Sequence, residues 1–161
     1  MRPFRPAQNF VTLISIMRLH ASCAARATTQ GGDAILLLGP SGSGKSDMLL
    51  RLLRHGFTLV ADDQVIIEDG LARAPDSLAG LLEVRGLGLF RLPYLPAATL
   101  RLVITLGSGE PERLPLPRRH ASLDLPEITL DPALVSAPER AALALDAACG
   151  HITQPAGAFA L

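Results

Sequence analysis

The 161-residue chain has no tryptophan and a single tyrosine, which argues against a surface built for stacking nucleobases on aromatic side chains. Charge of one sign is missing too: fifteen basic residues balance fifteen acidic ones. That balance removes the electrostatic case for nucleic acid or a membrane surface as partner. The only cysteines, Cys23 and Cys149, lie far apart with no metal-ligand spacing around them, which excludes a disulfide scaffold and favours small buried hydrophobes. Long hydrophobic runs are absent as well. Arg2 and Arg5 precede the short run Phe10 to Met17, but that run cannot span a bilayer, and His20 stands where a lipoprotein signal ending in Cys23 would need an apolar residue. Residues 1–16 are therefore expected to be a loosely attached extension, with Met17 an alternative start, and residues 17–161 a single domain with a real core. Thirteen prolines, many between Pro93 and Pro138, predict a second half rich in edges and turns.

What the chain does contain is Gly39-Pro40-Ser41-Gly42-Ser43-Gly44-Lys45-Ser46, which satisfies GxxxxGK[ST], the loop that cradles nucleotide phosphates. Ile35 to Leu38 reads as a buried strand before it, and Asp47 to His55 as a helix after it, burying Met48, Leu49, Leu52 and Leu53 and closing at Gly56. In that context Gly39, Gly42 and Gly44 let backbone N–H groups turn towards an anion, aided by the helix N-terminus. Lys45 is placed to reach the β- and γ-phosphates of ATP, and the Ser46 hydroxyl to ligate Mg²⁺. The competing reading is a Gly/Ser-rich turn that happens to fit. Such a protein works where ATP is abundant, so a cytoplasmic location is expected.

Three further stretches matter. From Arg18, Leu19, Ala21, Cys23 and Ala25 alternate as in one half-buried strand, and Gln30-Gly31-Gly32-Asp33 reads as a hairpin turn into the next strand, giving the P-loop strand an antiparallel neighbour. Phe57 to Ile67 reads as two short strands interrupted by Asp62-Asp63, acids that can hold Mg²⁺ or accept a proton, or else form a plain surface turn; Asp69-Gly70 makes a second hairpin. In Leu82-Glu83-Val84-Arg85-Gly86-Leu87-Gly88-Leu89-Phe90 an acid and a base alternate on one face of a strand, suited to a metal and a phosphate, or to a solvated ion pair. Leu100 to Leu106 reads as a buried strand, Arg118-Arg119-His120 as a solvated basic loop, and Ser136-Ala137-Pro138-Glu139 as a capping box before an alanine-rich helix ending near Gly150. His55, His120 and His151 carry no expectation of a zinc site.

Together GPSGSGKSD (39–47), LVADDQV (59–65) and LEVRGLGL (82–89), with His20 upstream, resemble the bacterial HPr(Ser) kinase/phosphorylase family, in order and spacing, over about residues 17–95. The resemblance implies an α/β P-loop kinase fold with added antiparallel strands, similar to the nucleotide site of phosphoenolpyruvate carboxykinase. It implies phosphorylation of a serine of HPr, the small phosphocarrier of the sugar phosphotransferase system, with ATP and Mg²⁺, and in many members phosphorolysis of the phosphoserine. Carried over, Gly39, Ser41, Gly42, Ser43, Gly44, Lys45 and Ser46 bind the nucleotide, Ser46, Glu83 and Asp63 hold Mg²⁺, Asp62 is the acid/base and is joined in the catalytic set by His20, which stands beside it, and by Lys45, and Arg85 contacts phosphate or partner. The chain resembles the family's short forms, which lack the separate N-terminal domain of longer members. Phosphorolysis and a homo-oligomer stay open. Two other readings remain: a kinase for a small metabolite, and a nucleotide-binding regulatory module without transfer.

Overall fold

The computed structural model describes residues 15–161, so most of the extension expected over residues 1–16 lies outside the described residues. Ten strands and two α-helices follow one another: β1 Ile16–His20, β2 Ser22–Thr28, β3 Gly31–Leu38, α1 Lys45–Leu53, β4 Thr58–Ala61, β5 Gln64–Glu68, β6 Leu71–Arg73, β7 Leu81–Val84, β8 Gly88–Arg91, β9 Ala98–Leu106, β10 Glu127–Leu130 and α2 Ala137–Ala148. Eight strands form one mixed sheet in the order β1-β5-β6-β9-β3-β2-β4, with β10 beside β9, while β7 and β8 make a separate hairpin. The P-loop strand β3 has the antiparallel neighbour expected, β2, and a parallel one, β9.

A bend in one ladder organises the rest. β1 pairs with β5 up to His20 opposite Gln64, the Ala21 amide donates to the Asp63 carbonyl at 3.2 Å, and pairing resumes between β2 and β4 with Cys23 opposite Ala61. Since β1 and β5 lie at one end of the strand order and β2 and β4 at the other, this bent ladder curls the sheet back on itself. Asp63 occupies the corner with φ 68°, a left-handed conformation that aspartate tolerates better than most side chains.

The curl explains the two hydrophobic layers. Small side chains fill the concave side, where Ala21, Cys23, Ala25, Ala34 and Ala72 pack with Leu36, Val60, Val65 and Ile67. On the convex side Ile35, Leu37, Leu102 and Ile104 meet Met48, Leu49 and Leu52 of α1 and Ala141 and Leu145 of α2. Residues 34–37 of β3 are thus covered on both faces, which is why that strand reads as an unbroken apolar run.

Several expectations are corrected. The single strand from Arg18 is two strands broken at Ala21, and Ser22 and Ala24 are buried along with their odd-numbered neighbours. The first hairpin turns at Thr29-Gln30, with Thr28 opposite Gly31; Gly32 and Asp33 belong to β3, where Asp33 accepts from Arg101 at 2.9 Å. The helix begins at Lys45, inside the P-loop, and Leu53 is only half-buried. No capping box forms at α2: Ser136 makes no side-chain cap, and its hydroxyl instead accepts from Arg140 Nε at 2.8 Å. The C-terminus of α2 is closed as expected by Gly150, at φ 75°, with Gly150 donating to Ala147 and His151 to Asp146. Asp69 and Gly70 both take positive φ in the two-residue turn between β5 and β6.

Candidate functional site

The loop between β3 and α1 is shaped by its glycines. Gly39, Gly42 and Gly44 have φ of 156°, 80° and 96°, and a Cβ on Gly39 would lie 2.5 Å from the Ser43 hydroxyl. That packing leaves Ser43 Oγ buried without a hydrogen-bond partner, behind the loop rather than in front of it. Lys45, only 7% exposed, donates from Nζ to the carbonyls of Gly39 at 2.6 Å and Pro40 at 3.1 Å, which holds its charge under the loop.

Facing the loop is the corner of the bent ladder. Asp62, 8% exposed, accepts from Ser46 Oγ at 3.0 Å on Oδ1 and 3.1 Å on Oδ2, so the P-loop and the corner share a hydrogen-bonded carboxylate. Asp63 is exposed on the rim of the same cavity, and its Oδ1 lies 3.1 Å from His20 Nδ1. The remaining wall comes from the β7–β8 hairpin, anchored through Leu82, Val84 and Leu92 on the convex core. Glu83 stands exposed on β7, but Arg85 lies in the three-residue turn 85–87 and not on the strand, because pairing ends at Val84 opposite Gly88. The expected alternation of the two charges along one strand face is corrected accordingly.

These elements enclose a cavity of about 530 Å³. Its lining brings together His20, Ser41, Gly42, Gly44, Lys45, Ser46, Asp62, Asp63, Glu83 and Arg85; Gly39 and Ser43 stay behind it. A mouth with a glycine-shaped anion loop, a buried lysine and the four carboxylates of Asp47, Asp62, Asp63 and Glu83 fits a phosphate chain with a divalent cation. Among the described residues no group of three or more His, Cys, Asp and Glu side chains is set to hold a metal unaided. In the basic loop Arg119 pairs with Asp124 at 2.7 Å, while Arg118 donates to the Thr129 hydroxyl and keeps its charge.

One residue of this cavity escaped the sequence reading. Ser22, 1% exposed, donates from its hydroxyl to Asp62 Oδ1 at 2.7 Å. The signal was a polar residue in a strand whose two faces are both covered, visible only once the corner brings β2 against Asp62.

Residues 28–95 match the family model described as HPr Serine kinase C-terminal domain. Among curated proteins, the HPr kinase/phosphorylase of Cupriavidus metallidurans is 38% identical over 67% of this chain and 41% of its own length. That of Burkholderia cenocepacia is 37% identical over 70% of this chain and 42% of its own, and that of Clostridium novyi 41% identical over 51% and 30%. The chain thus spans about a third to two-fifths of the length of these relatives. The solved structure of the Hpr(Ser) kinase/phosphatase from Coxiella burnetii superposes with a TM-score of 0.65 at 21% identity, covering 84% of this chain and 92% of that one, and supports the mixed-sheet α/β fold.

Proposed function

From the match of residues 28–95 to the HPr serine kinase C-terminal domain model and the similarity to HPr kinase/phosphorylases, we propose that this chain transfers the γ-phosphoryl of ATP to a serine hydroxyl of HPr. The observation that carries this reading is the Asp62 carboxylate hydrogen-bonded to the P-loop Ser46, an acid at the place where a phosphoryl acceptor must approach. The architecture is that of a P-loop kinase with added antiparallel strands, akin to the nucleotide site of phosphoenolpyruvate carboxykinase, and the setting is cytoplasmic.

The residues divide the work. Gly42, Gly44 and the α1 N-terminus direct amides at the phosphates, and Lys45 counters the charge of the β- and γ-groups. Ser46, Glu83 and Asp63 would hold Mg²⁺, which when bound supplies neutralisation of phosphate charge. Asp62 takes the proton from the acceptor serine as its oxygen bonds to the γ-phosphorus and the bond to the β-phosphate bridge breaks, releasing ADP. In the reverse direction inorganic phosphate attacks the phosphoserine, pyrophosphate forms, and Asp62 returns the proton to the serine oxygen. His20 restrains Asp63, and Arg85 meets phosphate or partner from the hairpin turn. Catalysis is then mostly positioning and charge complementarity.

Incubation with Mg²⁺, γ-labelled ATP and HPr, beside HPr whose acceptor serine is changed to alanine, tests the reading. Label on the unmodified HPr alone is the expected result. Label on small hydroxyl compounds and none on HPr would replace it with a metabolite kinase, and ATP binding without any transfer would leave a regulatory module.

A further inference from the structure

Asp62 receives two hydroxyl donors that are not equivalent. Ser46 Oγ bridges both carboxylate oxygens at 3.0 and 3.1 Å, whereas Ser22 Oγ meets Oδ1 alone, at the shorter distance of 2.7 Å. Ser46 is exposed at the start of α1 and faces the phosphate cavity, while Ser22 is 1% exposed in β2, its backbone paired opposite Leu37 of β3 and its neighbours Ala21 and Cys23 fully buried. A hydroxyl has one hydrogen to donate. If Ser46 turns its lone pairs to a cation and its hydrogen elsewhere during turnover, Asp62 keeps one donor fixed by the scaffold.

We propose that Ser22 is a positioning residue for phosphoryl transfer: its buried hydroxyl anchors Oδ1 of Asp62, so that Oδ2 is the oxygen left to take the acceptor's proton. This inference rests on the kinase reading above. The anchor acts on one bond rotation. A carboxylate at a strand corner can swing about its Cβ–Cγ bond, and a single short hydrogen bond to one oxygen stops that swing while leaving the other oxygen its lone pairs. Backbone constraints already hold the rest of the corner, through the Ala21 amide on the Asp63 carbonyl and the Gln64 amide on the Asp62 carbonyl at 2.8 Å. The charged groups sharing the cavity with Asp62 are Lys45 and Asp47 of α1, Asp63 and His20 of the corner, and Glu83 and Arg85 of the hairpin. None of these hydrogen-bonds the carboxylate, so among the described residues its side-chain partners are hydroxyls alone.

The test compares two side chains of the same shape. Ser22→Thr keeps the hydroxyl and Ser22→Val removes it at equal volume, with Ser22→Ala as a smaller variant in case the valine disturbs folding. Each is assayed for transfer to HPr over a range of both substrates, for ATP affinity by equilibrium binding and for melting temperature. The valine and alanine variants are expected to lose about 10-fold or more in kcat, as misplacement of a reacting group costs, with both KM values and ATP affinity within about 2-fold of wild type; threonine recovers most of the loss. Threonine and valine variants of equal rate, or a loss confined to KM or ATP affinity, would overturn the anchor while leaving the kinase reading intact. Absence of transfer by the wild-type protein would overturn that reading and the inference with it.

Discussion

Asp62 and Asp63 are adjacent in sequence and opposite in circumstance. The first is buried against Ser22 and Ser46, the second exposed against His20, and a left-handed corner residue turns one side chain inward and its neighbour out. The resemblance assigned different roles to the two acids, but which of them is buried did not follow from the residues, because φ at Asp63 depends on a ladder bend that pairs it with a strand about forty positions away. Glu83 was legible as a candidate ligand and is exposed on the cavity wall. Its removal tests the metal reading at this scale: Glu83→Gln is expected to raise the Mg²⁺ concentration for half-maximal transfer several-fold while the melting temperature holds, since the exposed side chain makes no hydrogen bond or ion pair among the described residues. An unchanged Mg²⁺ titration would remove Glu83 from the ligand set.

Among the elements, the P-loop was read directly from its spacing, because backbone geometry there is dictated by glycine and by the strand and helix on either side. Helix α1 and its Gly56 closure were equally plain. The strands were harder. Ala21 looked like one more inward residue of a single strand, and only the pairing partners reveal that the chain changes direction there. The apparent capping box at Ser136 failed because the serine backbone, at φ −86° and ψ 12°, lacks the extended conformation that aims a cap side chain at the helix amides, and its hydroxyl accepts from Arg140 one turn on instead. At the loop itself, Gly39→Ala would force a β-carbon to 2.5 Å from the Ser43 hydroxyl in a backbone conformation that costs an L-residue about 1–2 kcal/mol. The expected outcome is a melting temperature lower by a few degrees and weakened ATP binding by calorimetry. Wild-type values for both would contradict the account of how the loop is held.

At the scale of the whole molecule, the sheet curls because its concave side is lined with alanines and Cys23, side chains small enough for the strands to close over. Composition announced neither the curl nor the joining of its two ends, since both follow from which strands pair. Closure carries a titration consequence. Burial pushes the Cys23 thiol well above the usual thiol range, and burial is also the first cause raising Cys149. In the unfolded chain both thiols ionise above about pH 8.5, while the folded chain keeps Cys23 protonated. Above that pH the unfolded state therefore binds fewer protons, so the stability contributed by the neutral thiol is complete at pH 7 and declines as pH rises past the unfolded thiol's pKa of about 8.5. Urea midpoints from pH 7 to pH 10 should fall more steeply for the wild-type protein than for Cys23→Ala, and parallel curves would contradict a buried, neutral Cys23.

The claim on which the rest depends is that the ladder corner and the P-loop form one catalytic centre, joined at the Asp62 carboxylate. Asp62→Asn keeps the shape of the side chain and removes its basicity, so it separates proton transfer from binding. Single-turnover transfer from ATP to HPr, measured together with ATP affinity, should fall by about 100-fold or more while affinity stays within a few-fold of wild type. Transfer at the wild-type rate by this variant would mean that the corner carboxylate takes no part in the chemistry, and the site proposed for this chain would be wrong.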